Sequence, residues 1–205
     1  MSKYHNDASA ADMPGRLSLS ESRLRLLQPE LFGWRSLFVA VPWFGRVLDA
    51  AQMRTMVGEH LQMGDANPAL VVTTSPVVII AAYTDELDAL VLLRFDPIWA
   101  QLLHLVPNLR LLTINTYIRG TRVSPDIQEG ARAMRRYANV YPLIAETLSD
   151  DQRAIQERKT TLDAELWNRA QELLTQRVSD DRVCVRDGTP LRSRGPGAML
   201  SLSSG

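Results

Sequence analysis

One block, Pro68 to Pro97, constrains the fold more than any other: PALVVTTSPVVIIAAYTDELDALVLLRFDP. Its three short runs are rich in β-branched and aliphatic residues, and the polar stretches TTSP and TDELD separate them. That pattern predicts a strand–turn–strand–turn–strand meander over Ala69–Thr73, Val77–Tyr83 and Ala89–Phe95. VVII and LVLL are apolar at consecutive rather than alternate positions. The middle strands are therefore expected to be covered on both faces.

Around this block the chain reads helix, strand, helix, three strands, short helix, strand, two helices. Ser18 or Ser20 is a candidate cap for a helix that ends near Pro29. Ser36 to Val41 reads as a strand stopped by Pro42. Val47 to Met63 carries Leu48, Met53, Met56, Val57 and Leu61 on one stripe, with GDANP as its stop. Asp96–Pro97 opens a short helix, and LRLLTINTYIRG has strand composition. Ser124-Pro125-Asp126 has the form of a helix start, and the helix is expected to reach about Val140. Ser149-Asp-Asp-Gln152 reads as a capping box for a helix as far as Arg177. VCVRDGTPL reads as a hairpin arm around Asp187–Gly188.

The expected fold is α+β: a mainly antiparallel sheet of four or five strands, helices on one or both faces, and a C-terminal helical pair. The expected division is a disordered tail over 1–17, one domain over 18–177, and an arm with a loose tail over 178–205. A length of 205 residues with 45% hydrophobic and 22% charged residues suits one packed domain.

The formal net charge is zero, so no global field draws the protein to nucleic acid or anionic lipid. No apolar run approaches the roughly 20 residues of a membrane helix, so no membrane partner is expected. The N-terminal segment lacks a signal-peptide core. The single cysteine, Cys184, permits no internal disulfide. Both features point to a cytoplasmic location. Only Lys3 and Lys159 of the 23 basic residues are lysine, which reads as coding bias rather than selection for arginine's fork.

Candidate functional residues fall into four groups. TDELD supplies Asp85, Glu86 and Asp88, and Asp96 ends the next strand. Carboxylates so placed can hold a hard cation or act as acid and base, although acids are also ordinary turn residues. Trp34, Trp43 and Phe44 form an aromatic segment that suits either core or a partner surface. Arg119, Arg122, Arg132, Arg135 and Arg136 are the best basic cluster. Arg132 and Arg136 would share a helical face, next to Tyr137 and Tyr141. Finally, Ile155, Leu162, Leu166 and Leu173 alternate sevens and fours, as a heptad seam for a second copy or a partner helix does.

The histidines (5, 60 and 104) are scattered, and no phosphate loop, dinucleotide fingerprint, zinc motif or nucleophile elbow occurs. No catalytic residue, metal or other cofactor is therefore expected. The expected function is a non-enzymatic protein-interaction or regulatory domain within a larger assembly, with a protein partner or self-association. The first alternative is a metal- or ligand-binding domain or hydrolase built on Asp85, Glu86, Asp88 and Asp96. The second is nucleic-acid binding through the arginines of 119–136.

Overall fold

The computed structural model describes residues 11, 13–32, 50–134, 136–178, 182–190, 192 and 197–201. Its helices are α1 (Glu21–Leu27), α2 (Ala50–Met63), α3 (Ile98–Leu102), α4 (Ala145–Leu148), α5 (Gln152–Thr161) and α6 (Ala164–Val178), with a 3-10 turn at Pro29–Leu31. Its strands are β1 (Asp65–Thr73), β2 (Val78–Thr84), β3 (Ala89–Phe95), β4 (Arg110–Arg119), β5 (Tyr137–Ile144), β6 (Arg182–Asp187) and β7 (Ala198–Ser201). The expected Ser36–Val41 strand lies outside the described residues, as do Trp34, Trp43 and Phe44.

The strands form one sheet in the order β5-β4-β1-β2-β3-β6-β7. All pairs are antiparallel except β3–β6, where Leu92, Leu93 and Arg94 run parallel to Val185, Arg186 and Asp187. The α+β class therefore holds, but the sheet is wider than four or five strands and it is mixed. The C-terminal arm supplies the difference. Val183 and Val185 are buried in the main core, so β6, within the expected arm, is a strand of the sheet itself. At the other end of the chain, Leu17 is buried and Pro14 bridges Asp65, so residues expected in a disordered tail are packed.

The central strands are buried on both faces. Ile79, Ala81, Leu90, Leu92, Leu112 and Ile114 face a core shared with residues of α1, α2, α4, α5 and α6. Their neighbours Val78, Ile80, Val91, Leu93 and Leu111 face a second core closed by Trp99, Leu105 and Ile127. Apolar side chains at consecutive strand positions serve both layers.

Local signals explain most elements. Ser20 caps α1 by accepting from the Arg23 amide. On α2 the stripe Met53, Val57 and Leu61 is buried, and the His60 ring bonds the Ile114 carbonyl through Nε2 at 2.8 Å.

Two helix expectations are corrected. Ser124-Pro125-Asp126 makes a single turn, with the Ile127 amide on the Ser124 carbonyl at 2.9 Å, and the chain then runs irregularly into β5. The helix from Asp150 is broken at Leu162–Asp163. Leu162 is extended and buried, and the Asp163 side chain accepts from the Glu165 amide at 2.9 Å. The cap of α5 is Asp151, not Ser149, with Asp151 Oδ1 accepting from the Ala154 amide at 2.9 Å. Among the described residues, no helix is long and apolar enough to cross a membrane.

Candidate functional site

The acidic turn joins β2 to β3, and its four residues point different ways. The Asp88 amide closes the turn on the Asp85 carbonyl at 3.1 Å. Leu87 is buried in the second core. Asp88 adopts a left-handed backbone, φ 45°, which Asp tolerates better than most residues. Its side chain is 0% exposed.

Arg169, on α6, grips that carboxylate with two parallel bonds, Nε to Oδ1 and Nη2 to Oδ2, both 2.8 Å. The Arg132 amide adds a bond to Oδ2 at 3.1 Å and the Tyr83 hydroxyl one to Oδ1 at 3.3 Å. Burial alone would raise the Asp88 pKa. The bonds and charge of Arg169, with the Arg132 amide, hold it below the usual carboxylate range. Burial and the neighbouring Asp88 charge push the Tyr83 phenol well up, so Tyr83 stays a neutral donor.

The other acids are also engaged. Asp85 Oδ1 accepts from its neighbour's amide at 2.9 Å and from the Tyr117 hydroxyl at 3.1 Å. Asp96 Oδ1 accepts from the Ile98 amide at 2.9 Å, capping the first turn of α3. The Glu86 carbonyl accepts from the Met134 amide at 2.9 Å, which docks the 130–134 segment on the turn. Asp85, Glu86, Asp88 and Asp96 therefore do not converge. Among the described residues, no group of three or more His, Cys, Asp or Glu side chains is placed to hold a metal ion.

A second buried clamp lies near the first. Arg186, on β6, is 2% exposed. Its Nε and Nη2 hold the Asp126 carboxylate, with Nη2 to Oδ1 at 3.1 Å. It also donates to the Val140 carbonyl and to Asn139 Oδ1, each at 2.8 Å. Asp126 further accepts from the Ser124 hydroxyl at 2.6 Å and the Gly197 amide at 3.2 Å. Burial works to raise its pKa, and the Arg186 and Ser124 bonds more than offset this, leaving it below the usual range.

Beside the Asp88 clamp, with Arg169 in its wall, runs a groove of about 480 Å³, a volume that suits a small ligand. One wall is the α6 face Arg169, Leu173, Gln176 and Arg177. The other is residues 128–131, with Ala89 and Leu90 of β3 between them.

The arginines of 119–136 do not share a helical face, because that segment is not helical. Arg132 pairs with Glu165 at 2.6 Å, with both side chains exposed, and Arg136 is exposed without helical register to it. The proposed heptad seam faces inward: Ile155 and Leu162 are buried in the main core, and Leu166 and Leu173 pack against it. The seam's spacing therefore reflects packing on this chain's own sheet.

The structure adds a surface that the sequence reading passed over. On α3, Trp99 is buried while Ile98 and Leu102 are 51% and 47% exposed, and Val106 beyond the helix is 57% exposed. The spacing of four (98, 102, 106) was a usable signal, but Leu103 and Leu105 interrupt it and blend the stripe into a generally apolar run.

Comparison of the chain with family models, with curated proteins and with solved structures finds no match, so the reading of these surfaces rests on their own geometry.

Proposed function

We propose that the protein is a non-enzymatic interaction domain whose partner docks on the ridge formed by α3 and the turn that follows it. The observation that carries this reading is the exposure of Ile98, Leu102 and Val106 on one short segment whose Trp99 is anchored in the core. Large apolar side chains grouped on a rigid support mark interaction surfaces more often than scattered ones do. The partner chemistry that fits is an apolar protein surface with few charges at its centre. The engagement of Asp85, Asp88 and Asp96 in internal bonds supports the same reading, since it leaves the acidic turn little capacity for acid–base or metal chemistry.

The test is size-exclusion chromatography with light scattering, followed by pull-down from the native host, on wild type and on Ile98→Asp/Leu102→Asp. Both substituted side chains are exposed, so folding should change by no more than about 0.5 kcal/mol per site. The expected result is a complex or a self-association that the double variant loses. A strict monomer that captures nothing, or capture unchanged in the variant, contradicts the proposal.

A further inference from the structure

Arg169 and Arg177 line the groove beside α6, and Arg169 binds its carboxylate through the same edge of the guanidinium as Arg186. Arg169 holds Asp88 through Nε and Nη2, and Arg186 holds Asp126 through Nε and Nη2. Arg177 lies two turns beyond Arg169 on the same face of α6 and lines the groove. Its Nε is buried and, among the described residues, has no hydrogen-bond partner. Among the described residues its other donors reach neutral oxygens: Nη1 to Gln128 Oε1 at 3.2 Å, and Nη2 to the Asp126 carbonyl at a long 3.5 Å. The carboxylate of Asp126, whose carbonyl Arg177 reaches, is already held by Arg186. A half-buried guanidinium with an unsatisfied donor is a costly arrangement, and an anion on its Nε–Nη2 edge relieves it.

We propose that Arg177 is the anchor of a binding site for a small monocarboxylic acid. The acid's carboxylate takes the Nε–Nη2 edge, as Asp88 and Asp126 do on the other two arginines. Rotation about the arginine's side-chain bonds turns that edge to the groove, at the expense of the 3.2 Å bond to Gln128 and the 3.5 Å contact to the Asp126 carbonyl. Leu90, Ala131 and Leu173 offer apolar surface for the acid's body. Glu129 also lines the groove, and its charge disfavours a dianion such as a phosphate monoester relative to a monocarboxylate. This site is independent of the α3 ridge.

The experiment is an NMR titration of the full chain with benzoate, and separately with benzamide, its neutral counterpart. The amides of 128–131 and the Arg177 Nε–H are followed. Benzoate should shift these signals saturably, with the Nε–H moving downfield, and benzamide should bind at least about tenfold more weakly. Arg177→Gln should lose at least about tenfold in benzoate affinity. This variant breaks no bond to a carboxylate, so its melting temperature should stay near wild type. A Leu-terminated tetrapeptide with a free C-terminus is a further arm. Equal binding of acid and amide, unchanged affinity in Arg177→Gln, no benzoate binding, or binding of the peptide alone overturns the proposal. The acid–amide comparison needs no variant, so it stands even if Arg177→Gln folds poorly.

Discussion

Asp88 shows what a single residue does when local and distant demands coincide. Its place at the end of a hairpin turn accounts for the left-handed backbone, and its enclosure accounts for the need of a full set of donors. Gly130 is part of that enclosure: a Cβ there would run into the Asp88 carboxylate, so the segment opposite must be glycine. Arg169→Ala leaves this carboxylate buried without its charge partner. The expected loss is about 3–5 kcal/mol, read as a lowered urea midpoint at pH 7. The pH dependence has a definite sign. Asp88 and Asp126 have folded pKa values below their unfolded ones. Their contributions are therefore complete above the ordinary carboxylate range, near pH 4, and are lost as pH falls through it toward the lower folded values. The urea midpoint should decline steadily from about pH 5 to pH 3, and Asp88→Asn should flatten that decline from a lower starting point. TDELD is legible in the sequence as a turn because that follows from neighbours. The grip of Arg169 is not legible, because the two residues are separated by 81 positions and nothing near either marks the pair.

At the scale of elements, the meander and α2 were legible because their apolar periods are continuous and their stops are local. The failures share one cause, a strong local start signal overruled by a distant partner. The residues after Ser124-Pro125-Asp126 could have continued as helix by propensity alone. Instead Asp126 is drawn to Arg186, the Ser124 amide bonds the Ala138 carbonyl at 2.8 Å, and Tyr137–Ile144 pairs with β4. The β-rich composition YANVYPLI was a signal for that strand, masked by Pro142, which is tolerated because β5 is the edge strand of the sheet and the missing N–H costs no ladder bond on its outer side. The break between α5 and α6 likewise follows from Leu162 turning into the core. Leu162→Ala should cost about 2–5 kcal/mol by opening a cavity at the elbow. Asp163→Ala removes the acceptor for the Glu165 amide and should cost about 1 kcal/mol, as loss of a cap does. Thermal unfolding of the two variants should rank them in that order. An equal or reversed ranking would mean that the elbow is held by its cap rather than by its buried leucine.

The sheet as a whole curls back on itself. In strand order β5 and β6 stand far apart, yet Arg186 on β6 donates to the Val140 carbonyl and the Asn139 side chain on β5. The same side chain holds Asp126, which precedes β5. Arg186 thus spans the mouth of the curl, and with the Ser124 amide it occupies carbonyls on the outer edge of β5. Covering an edge in this way blocks pairing with another chain. Strand order and closure were not legible, because a buried Arg–Asp pair looks in sequence like two surface charges. A double-mutant cycle tests whether the pair acts as one unit. Arg186→Met leaves Asp126 ionised in the core with, among the described residues, the Ser124 hydroxyl and the Gly197 amide as its donors, and should cost about 3–5 kcal/mol. Asp126→Asn leaves one acceptor oxygen where the carboxylate had two, and leaves Arg186 charged and buried, at a similar cost. In the double variant neither charge remains. Its loss should fall short of the summed single losses by about 0.5–3 kcal/mol, measured by urea unfolding. Strict additivity would show that Arg186 closes the curl through its Val140 and Asn139 bonds alone. The same four proteins thus distinguish a charge-locked curl, whose cycle shows a coupling, from one held by the bonds to β5, whose cycle shows none.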